Sequence, residues 1–457
     1  MQSFEIDRSD LLRIETALEG NDAELEGVLK EYHASEIAML FEKLPQEAKE
    51  RIINILPTEI ASEVISEMGE DQYPGELLIN LNPGKRSEIV EELDYDDATD
   101  IISQLDEEEQ QEILEEIDAG DADSIRALLK YEEDTAGGLM DSDLIKVNIN
   151  LDKKDALEEI IRQSEEMEEF YTVYVVDDTD VLQGILSIKS IIKAKAEAHV
   201  RDLVNTDFVY VKAGMDQEDV ASLISQYNLT AIPVVDDNMK LLGRVTVDDI
   251  IDVIERESTE DILKFSGVSE DEELSGNWKD AVKSRLPWLV INLATAYLAA
   301  SVIRHFDATV AEIPIIAAYM TIIAGMGGNA ATQALAVTVR RISLTDLSDK
   351  QAYNTVLKEF LVGMINGAAN GIIVFFIAMF YDANLWLGLV LFLAMTGNLI
   401  VAGLTGATIP LILKRVGIDP AVASSIIITT FTDCAGFLLP LYFATKLLIP
   451  HMHLVHH

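Results

Sequence analysis

The sequence predicts a multi-domain membrane protein: an all-α helical superhelix, an α/β pair of domains, a connecting helix and five membrane-spanning helices, in that order. Three observations predict this fold class. The 457 residues carry a formal net charge of −46, and nearly all of the acidic residues precede about residue 283. An internal α/β repeat occupies the middle of the chain. Five apolar stretches follow it, each with the roughly 20 residues needed to cross a bilayer.

Residues 1–135 are predicted to form the superhelix. Apolar residues recur there at helical spacing, interrupted about every dozen residues by breaks such as Leu44-Pro45, Leu56-Pro57 and Leu93-Asp94. Helices that short cannot bury their apolar faces alone, so neighbouring units are expected to stack on one another.

One of these short helices carries Asp96, Asp97 and Asp100. Asp96 and Asp100 are four residues apart and share a helix face, where two like charges are destabilising. A bound divalent cation or a solvated face would each relieve the repulsion. The local sequence favours the solvated face.

Residues 136–256 repeat one pattern of strand, helix, strand, strand and helix, first over 136–199 and then over 200–256. The segments 174–177 (YVVD), 232–236 (IPVVD) and 242–250 (LGRVTVDDI) resemble tandem CBS domains, which usually act as regulatory sensors. Many CBS pairs bind adenine nucleotides such as ATP. Residues 246–249 (TVDD) resemble the position of a ribose-binding aspartate.

Residues 257–284 are predicted to form a charged helix that connects this pair to the membrane. Acidic side chains lie three to five residues apart along this part of the chain and the helix before it. They are Asp249, Asp252, Glu257, Glu260 and Asp261. Such oxygen ligands suit hard cations such as Mg²⁺, which takes one or two carboxylates and keeps several waters.

The predicted membrane domain covers residues 285–450, with spans at about 286–303, 314–339, 355–381, 385–413 and 422–448. Basic residues follow the second span (Arg340, Arg341) and the fourth (Lys414, Arg415). Because basic loops stay on the cytoplasmic side, the N-terminal half is expected in the cytosol and the histidine-containing tail 451–457 outside. The first residues lack the pattern of a cleaved signal.

Asp433 lies near the middle of the fifth span, beside Thr429, Thr430 and Thr432. An ionised aspartate at that depth costs about 3 kcal/mol even on lenient scales and usually marks an ion or proton path. The alternative is a structural, hydrogen-bonded aspartate. Its neighbours offer oxygen atoms and no soft ligand apart from Cys434, the only cysteine, so a hard cation is favoured over a transition metal.

Three segments carry a resemblance that covers essentially the whole chain: residues 131–140 (YEEDTAGGLM), 327–333 (GGNAATQ) and 419–425 (DPAVASS) continuing to Asp433. With them the chain resembles the MgtE-type magnesium channels. The resemblance implies a homodimer in the bacterial inner membrane, with the superhelix as N domain, paired CBS domains, a plug helix and a pore built from five helices of each subunit.

The resemblance further implies that Asp433 is the pore carboxylate and holds a largely hydrated Mg²⁺. Five residues of the second and fifth spans are expected to line the pore around it: Thr429, Thr432, Ser425, Gly328 and Asn329. Cytosolic Mg²⁺ is expected to bridge acidic side chains and close the pore, which reverses the local preference at Asp96. The implied regulatory residues are Asp96, Asp100, Glu218, Asp249, Asp252, Glu257, Glu260 and Asp261.

Two positions depart from the family pattern. Asn228 stands where members often carry an aspartate, and Ser425 stands where they often carry an asparagine. One regulatory site is therefore expected to be weaker, and the oxygen geometry near the pore is expected to differ.

Parts of the sequence suggest three other functions. A proton- or sodium-coupled transporter of Mg²⁺, Mn²⁺ or Co²⁺ stays open as the alternative. An intramembrane aspartic protease needs two carboxylates at close range, and Asp382 lies at the outer end of its helix, far from Asp433. A membrane-anchored nucleotide sensor leaves Asp433 unexplained. The strong negative charge disfavours nucleic-acid binding, and no enzymatic function is expected.

Overall fold

The computed structural model describes residues 8–69, 72–164, 172–268, 278–344 and 348–451. The chain divides into two compact units, residues 1–256 and residues 257–457.

The first unit begins with ten short helices. They are α1 (Arg8–Leu18), α2 (Asp22–Leu29), α3 (Ala34–Phe41), α4 (Gln46–Ile55), α5 (Thr58–Ser66), α6 (Pro74–Ile79), α7 (Pro83–Glu92), α8 (Tyr95–Ser103), α9 (Glu107–Glu116) and α10 (Ala119–Leu128). The predicted breaks set several of their starts: Pro45 and Pro57 precede α4 and α5, and Pro83 is the first residue of α7, where its missing N–H costs nothing.

These helices stack in two rows. In one row α3 packs on α5, α5 on α7 and α7 on α9; in the other, α2 packs on α4, α4 on α6 and α6 on α8. One continuous apolar core runs from Ile14 to Ile125 between them. The predicted superhelix is confirmed, and it buries as a stack what no single helix could bury alone.

A buried arginine ties the second half of the stack together. The side chain of Arg86 is 2% exposed, and its guanidinium donates to Glu112 at 2.8 Å, to Glu116 at 2.6 Å and to the Ile79 carbonyl at 2.9 Å. A planar guanidinium can serve several acceptors at once, so its burial is compensated.

The α/β repeat is confirmed as two three-stranded sheets. The first copy contains β1 (Lys146–Asn148), α11 (Lys153–Gln163), β2 (Thr172–Val176), β3 (Leu182–Ser187) and α12 (Ile188–Lys193). After α13 (Val200–Leu203), the second copy contains β4 (Val211–Lys212), α14 (Gln217–Tyr227), β5 (Ala231–Val235), β6 (Leu241–Thr246) and α15 (Val247–Ser266).

Both sheets have the same topology, because in each the first strand pairs parallel and the third antiparallel with the middle strand. A shared apolar cluster joins the two copies. It contains Tyr174, Val176, Leu182, Val235 and Leu241.

The connecting helix is shorter than predicted. Instead of running on to about residue 284, α15 ends at Ser266, because Gly267 adopts a left-handed conformation (φ 73°) that ends helices. Residues 269–277 lie outside the described ranges, and the next helix begins at Trp278.

The second unit contains α16 (Trp278–His305), α17 (Asp307–Glu312), α18 (Ile316–Leu344), α19 (Asp349–Tyr381), α20 (Leu385–Arg415) and α21 (Pro420–Phe443), followed by a π-helical turn, Ala444–Leu448. In the described part of the chain, five helices are long and apolar enough to cross a membrane: α16, α18, α19, α20 and α21. The five predicted spans fall on them. Residues 452–457 of the predicted outer tail lie outside the described residues.

Glycines bring α19 and α20 into backbone contact. A Cβ at Gly367 would lie 2.8 Å from the Cα of Thr396, and one at Gly371 would lie 3.0 Å from the Phe392 carbonyl oxygen. A Cβ at Gly363 would collide with the Leu399 carbonyl oxygen. The three glycines are four residues apart, so they form one stripe along α19 that lets the two helices approach closely.

We expect Gly363→Val to destabilise the bundle by about 1–3 kcal/mol, because the added side chain must displace the α20 backbone. The measurement is the thermal unfolding midpoint of the detergent-solubilised protein. Ala369→Val is the matched control, since Ala369 lies on the same helix and is exposed. Equal midpoints for the two variants would contradict the close packing.

Candidate metal sites

Asp433 lies within α21, partly buried in the helical bundle. The helix is held against α18 one turn further on, where a Cβ at Gly436 would lie 2.7 Å from the Cα of Ala324. Among the residues that the structure describes, the Asp433 carboxylate has no hydrogen-bond or ion-pair partner. A carboxylate in that setting needs a cation or water to compensate the loss of solvation.

The residues predicted to lie around Asp433 differ in orientation. Thr429 on α21 and Asn329 on α18 are exposed on the surface of the subunit, and Gly328 is partly buried. Thr432 is fully buried, and its hydroxyl donates to the Ile428 and Thr429 carbonyls at 3.2 and 3.0 Å. Ser425 belongs to α21, but its side chain lies outside the described residues.

In the first unit, Asp96 on α8 lies close enough to Asp249 on α15 for the two charges to interact. Burial raises the pKa of Asp96 well above its usual value, and repulsion by Asp249 and Asp97 adds to the shift. Burial also raises the pKa of Asp249, although its carboxylate accepts hydrogen bonds from the backbone and hydroxyl of Thr246. The fold therefore places Asp96, a predicted regulatory residue of the superhelix, near Asp249, a predicted regulatory residue of the second CBS copy.

Asp97, next to Asp96 on α8, also interacts with Asp249, and Asp252 lies further along α15. Burial, with smaller repulsions from Asp94 and Asp249, raises the pKa of Asp97 to about 6. Burial and repulsion by Glu255 raise the pKa of Asp252. Burial and repulsion disfavour the ionised forms of these carboxylates. A hard divalent cation bound to their oxygens would stabilise the ionised forms.

The remaining predicted regulatory residues are less concentrated. Asp100 is exposed on α8, and Glu218 is exposed in the first turn of α14. In the second unit, Glu260 pairs with Lys264, which also lies 3.1 Å from Asp419. Burial raises the pKa of Asp261, and repulsion by Asp419 and Glu257 adds to the shift.

Within the described ranges, no three histidine, cysteine, aspartate or glutamate side chains gather closely enough to hold a metal by themselves.

Three acidic residues that sequence reasoning missed lie at structurally important positions. Asp141 is 3% exposed and pairs with Arg244 at 3.2 Å, and burial raises its pKa to about 7. Asp419 faces Asp261, as described above. Glu359 is buried in α19. Only Glu359 carried a signal in the sequence, as an acidic residue within an apolar span.

The segment 246–249 was predicted to hold a ribose-binding aspartate. Asp249 caps its own helix through Thr246, whereas Asp248 is exposed and has no polar partner among the described side chains. Asp248 is thus the carboxylate of this segment that is available to a sugar hydroxyl.

Comparison with known proteins matches every part of this architecture. Residues 320–443 match a family described as a divalent cation transporter, MgtE. Residues 32–134 match the MgtE intracellular N domain, and residues 136–197 and 200–256 match CBS domains.

Two curated relatives are named magnesium transporter MgtE. The protein from Enterococcus faecalis is 38% identical over 70% of this chain and 70% of its own length. The protein from Thermus thermophilus is 32% identical over 95% of this chain and 97% of its own length.

A solved structure of the cytosolic domain of the Mg²⁺ channel MgtE in complex with ATP is also similar. It is 35% identical, covers 53% of this chain and 99% of the solved chain, and has a TM-score of 0.50. Together with these two relatives and the family matches, it shows that the chain belongs to the MgtE family of divalent cation transporters, multi-pass membrane proteins that are not enzymes.

Proposed function

We propose that the protein imports Mg²⁺ across the bacterial inner membrane through a pore lined by Asp433, and that its acidic unit senses cytosolic Mg²⁺ and closes that pore. The observation that carries the proposal is the Asp433 carboxylate, which lies in a membrane-spanning helix with no protein partner among the described residues. Two relatives named as magnesium transporters support the choice of ion.

The pore is proposed to form between two copies of the chain, each contributing one Asp433. Mg²⁺ passes with most of its water retained, because it dehydrates reluctantly. Oxygen atoms along the path come from Thr429, Ser425 and Asn329. Gly328, which has no side chain, lets the ion approach the backbone closely. The Thr432 hydroxyl donates hydrogen bonds to carbonyls of its own helix. Thr432 therefore forms part of the pore wall and does not bind the ion.

The sensor is proposed to work by charge neutralisation. Without Mg²⁺, Asp96 and Asp249 repel each other, and so do Asp261 and Asp419. Bound Mg²⁺ relieves both repulsions. It therefore favours the conformation in which the Mg²⁺ sites are formed. Glu218, Asp252, Glu257 and Glu260 extend the two groups, and Asp100 adds a further carboxylate on α8.

In this proposal the N domain spans residues 1–135, the CBS copies 136–199 and 200–256, the plug 257–284, the pore domain 285–450 and the outer tail 451–457. The N-terminus lies in the cytosol. The basic loops after the second and the fourth membrane span support that orientation, because basic loops stay on the cytoplasmic side.

An adenine nucleotide is proposed as a second input at the CBS pair. The similar cytosolic domain was solved in complex with ATP, and the exposed carboxylate of Asp248 fits a ribose hydroxyl. The nucleotide would link the two CBS copies when bound, and Asp248 would orient its sugar.

Asp433→Asn is expected to lower Mg²⁺ flux into proteoliposomes roughly 10-fold to 100-fold, because interactions with a charged group contribute about 1.5–3 kcal/mol. A Mg²⁺-sensitive dye inside the vesicles reports the flux. Cys434→Ser, one residue along the same helix, is the matched control. Undiminished flux in the Asp433 variant would contradict the pore role, and wild-type flux that vanishes when the proton gradient is collapsed would favour coupled transport.

Mg²⁺ at millimolar concentration is expected to protect the cytosolic half from protease, and Asp249→Asn should shift the protection to about tenfold higher Mg²⁺, since loss of one metal partner typically costs 10–100-fold in affinity. Asp207→Asn, which removes an exposed carboxylate of the same unit, is the control. Identical cleavage patterns in chelator and in Mg²⁺ would exclude ion-dependent closure.

The same carboxylates predict a pH dependence when divalent cations are absent. Folding raises the pKa of Asp97 to about 6 and that of Asp141 to about 7, above the unfolded value of about 3.9. Their contribution to stability is therefore complete below about pH 4 and is lost as the pH rises through 6 and 7. Thermal unfolding in chelator should occur at a lower temperature at pH 8 than at pH 5.5, and Asp97→Asn should flatten the lower part of that change. A midpoint that rises with pH would contradict the assignment.

A further inference from the structure

A cavity of about 240 Å³ lies between α18, α19 and α20, and none of the residues assigned to the pore lines it. Its polar lining consists of Gln333, Lys358, Glu359 and Asn366, and small residues such as Gly363 and Gly403 make up part of the remaining wall. Most of the wall is apolar, but a carboxylate and two side-chain amides in it can hold water or an ion, so the cavity is not expected to stay dry.

Glu359 is the charged group buried in this cavity. It is 6% exposed, and the α20 backbone lies directly against it, because a Cβ at Gly403 would collide with the Glu359 carbonyl oxygen. The only polar contact of its carboxylate in the described part of the chain is with Lys358 Nζ, at 3.7 Å. The Lys358 side chain is 58% exposed, so it is a long and loosely held partner.

A single distant ammonium does not compensate a buried carboxylate well. Desolvation of the carboxylate costs several kcal/mol unless close charges and hydrogen bonds satisfy its oxygens. The arrangement contrasts with Arg86, where three acceptors surround one buried charge at hydrogen-bond distance.

The cavity lies on the basic-loop side of Asp433. The α18 and α21 helices touch at Ala324 and Gly436, and further along α18 Ala331 and Leu335 share a cluster with Ile428 of α21. Asp433 is therefore level with about residue 327 of α18. At about 1.5 Å per residue, Gln333 lies roughly 10 Å nearer to the basic end.

We propose that Glu359, with the side-chain oxygens of Gln333 and Asn366, forms a second binding site for a partly hydrated divalent cation. Lys358 acts as the counter-charge when the ion is absent and swings outward when it binds. An ion that leaves Asp433 binds at this site before it reaches the cytosol. This role of the site rests on the proposed function.

Size and chemistry agree with this assignment. At about 30 Å³ per water, the cavity volume corresponds to roughly eight water molecules, enough for a cation that keeps most of its first hydration shell. One carboxylate with amide oxygens and water is a ligand set typical of Mg²⁺.

Binding can be tested on the full-length protein without measuring transport. Val337 lines the cavity and is half-exposed. A nitroxide at Val337→Cys, in a chain that also carries Cys434→Ser and Asp433→Asn, should be broadened by Mn²⁺ in a saturable way, because the paramagnetic ion would bind beside it. Asp433→Asn removes the contribution of the proposed pore site.

Two variants in this background separate an ion site from a plain ion pair. Glu359→Gln keeps the size of the side chain and should weaken the Mn²⁺-dependent broadening about tenfold or more. Lys358→Gln removes the competing ammonium and should make broadening occur at lower Mn²⁺. If Glu359 serves only as the partner of Lys358, neither variant changes the broadening, or both change it in the same direction. Either outcome overturns the proposal.

A transport measurement then connects the site to the pore. In an otherwise wild-type chain, Glu359→Gln should reduce Mg²⁺ flux, while Lys358→Gln should not. Loss of flux in Glu359→Gln with unchanged broadening would overturn the proposal, because the residue would then act without binding an ion. If the wild-type protein carries no Mg²⁺, the proposed function fails while the broadening still decides whether the site exists.

Discussion

The structure depends on how negative charge is compensated in places where water is scarce. Asp433 lies in a membrane-spanning helix without a protein partner among the described residues, and such a carboxylate is tolerated only where a cation or water reaches it. The close contact between Gly436 and Ala324 fixes the helix that carries it. The glycine stripe of α19 fixes α19 against α20 in the same way. Small residues therefore set the position of the Asp433 carboxylate, and the carboxylate determines what can bind there.

The acidic unit meets the same constraint outside the membrane. Asp96 and Asp249 come from different domains, and the charge of Asp249 disfavours ionisation of Asp96, so the proposed sensor lies where the superhelix meets the second CBS copy. A sensor of this kind needs no dedicated cage for its ion. It needs only a compact arrangement that is stable with the cation and strained without it.

The sequence was sufficient for features that depend on local chemistry and periodicity. Pro45, Pro57 and Pro83 start helices because of their fixed backbone angle, and the apolar runs give the five spans. Features that depend on tertiary contacts were missed. The burial of Asp141 comes from its pairing with Arg244, about a hundred residues away. The end of α15 at Gly267 follows from a left-handed backbone conformation that the helical pattern of the sequence did not specify. The inward orientation of Thr432 was likewise not apparent from composition.

In the proposed function, Mg²⁺ passes Asp433 and closes its own path from the cytosolic side. Current through the purified protein in a planar bilayer, with Mg²⁺ as the only permeant cation and with equal pH on both sides, tests both parts at once. We expect current while Mg²⁺ is chelated on the cytosolic face, and a reversible loss of current when Mg²⁺ there is raised to millimolar concentration. A current that is indifferent to cytosolic Mg²⁺, or that appears only with a proton gradient, would contradict it.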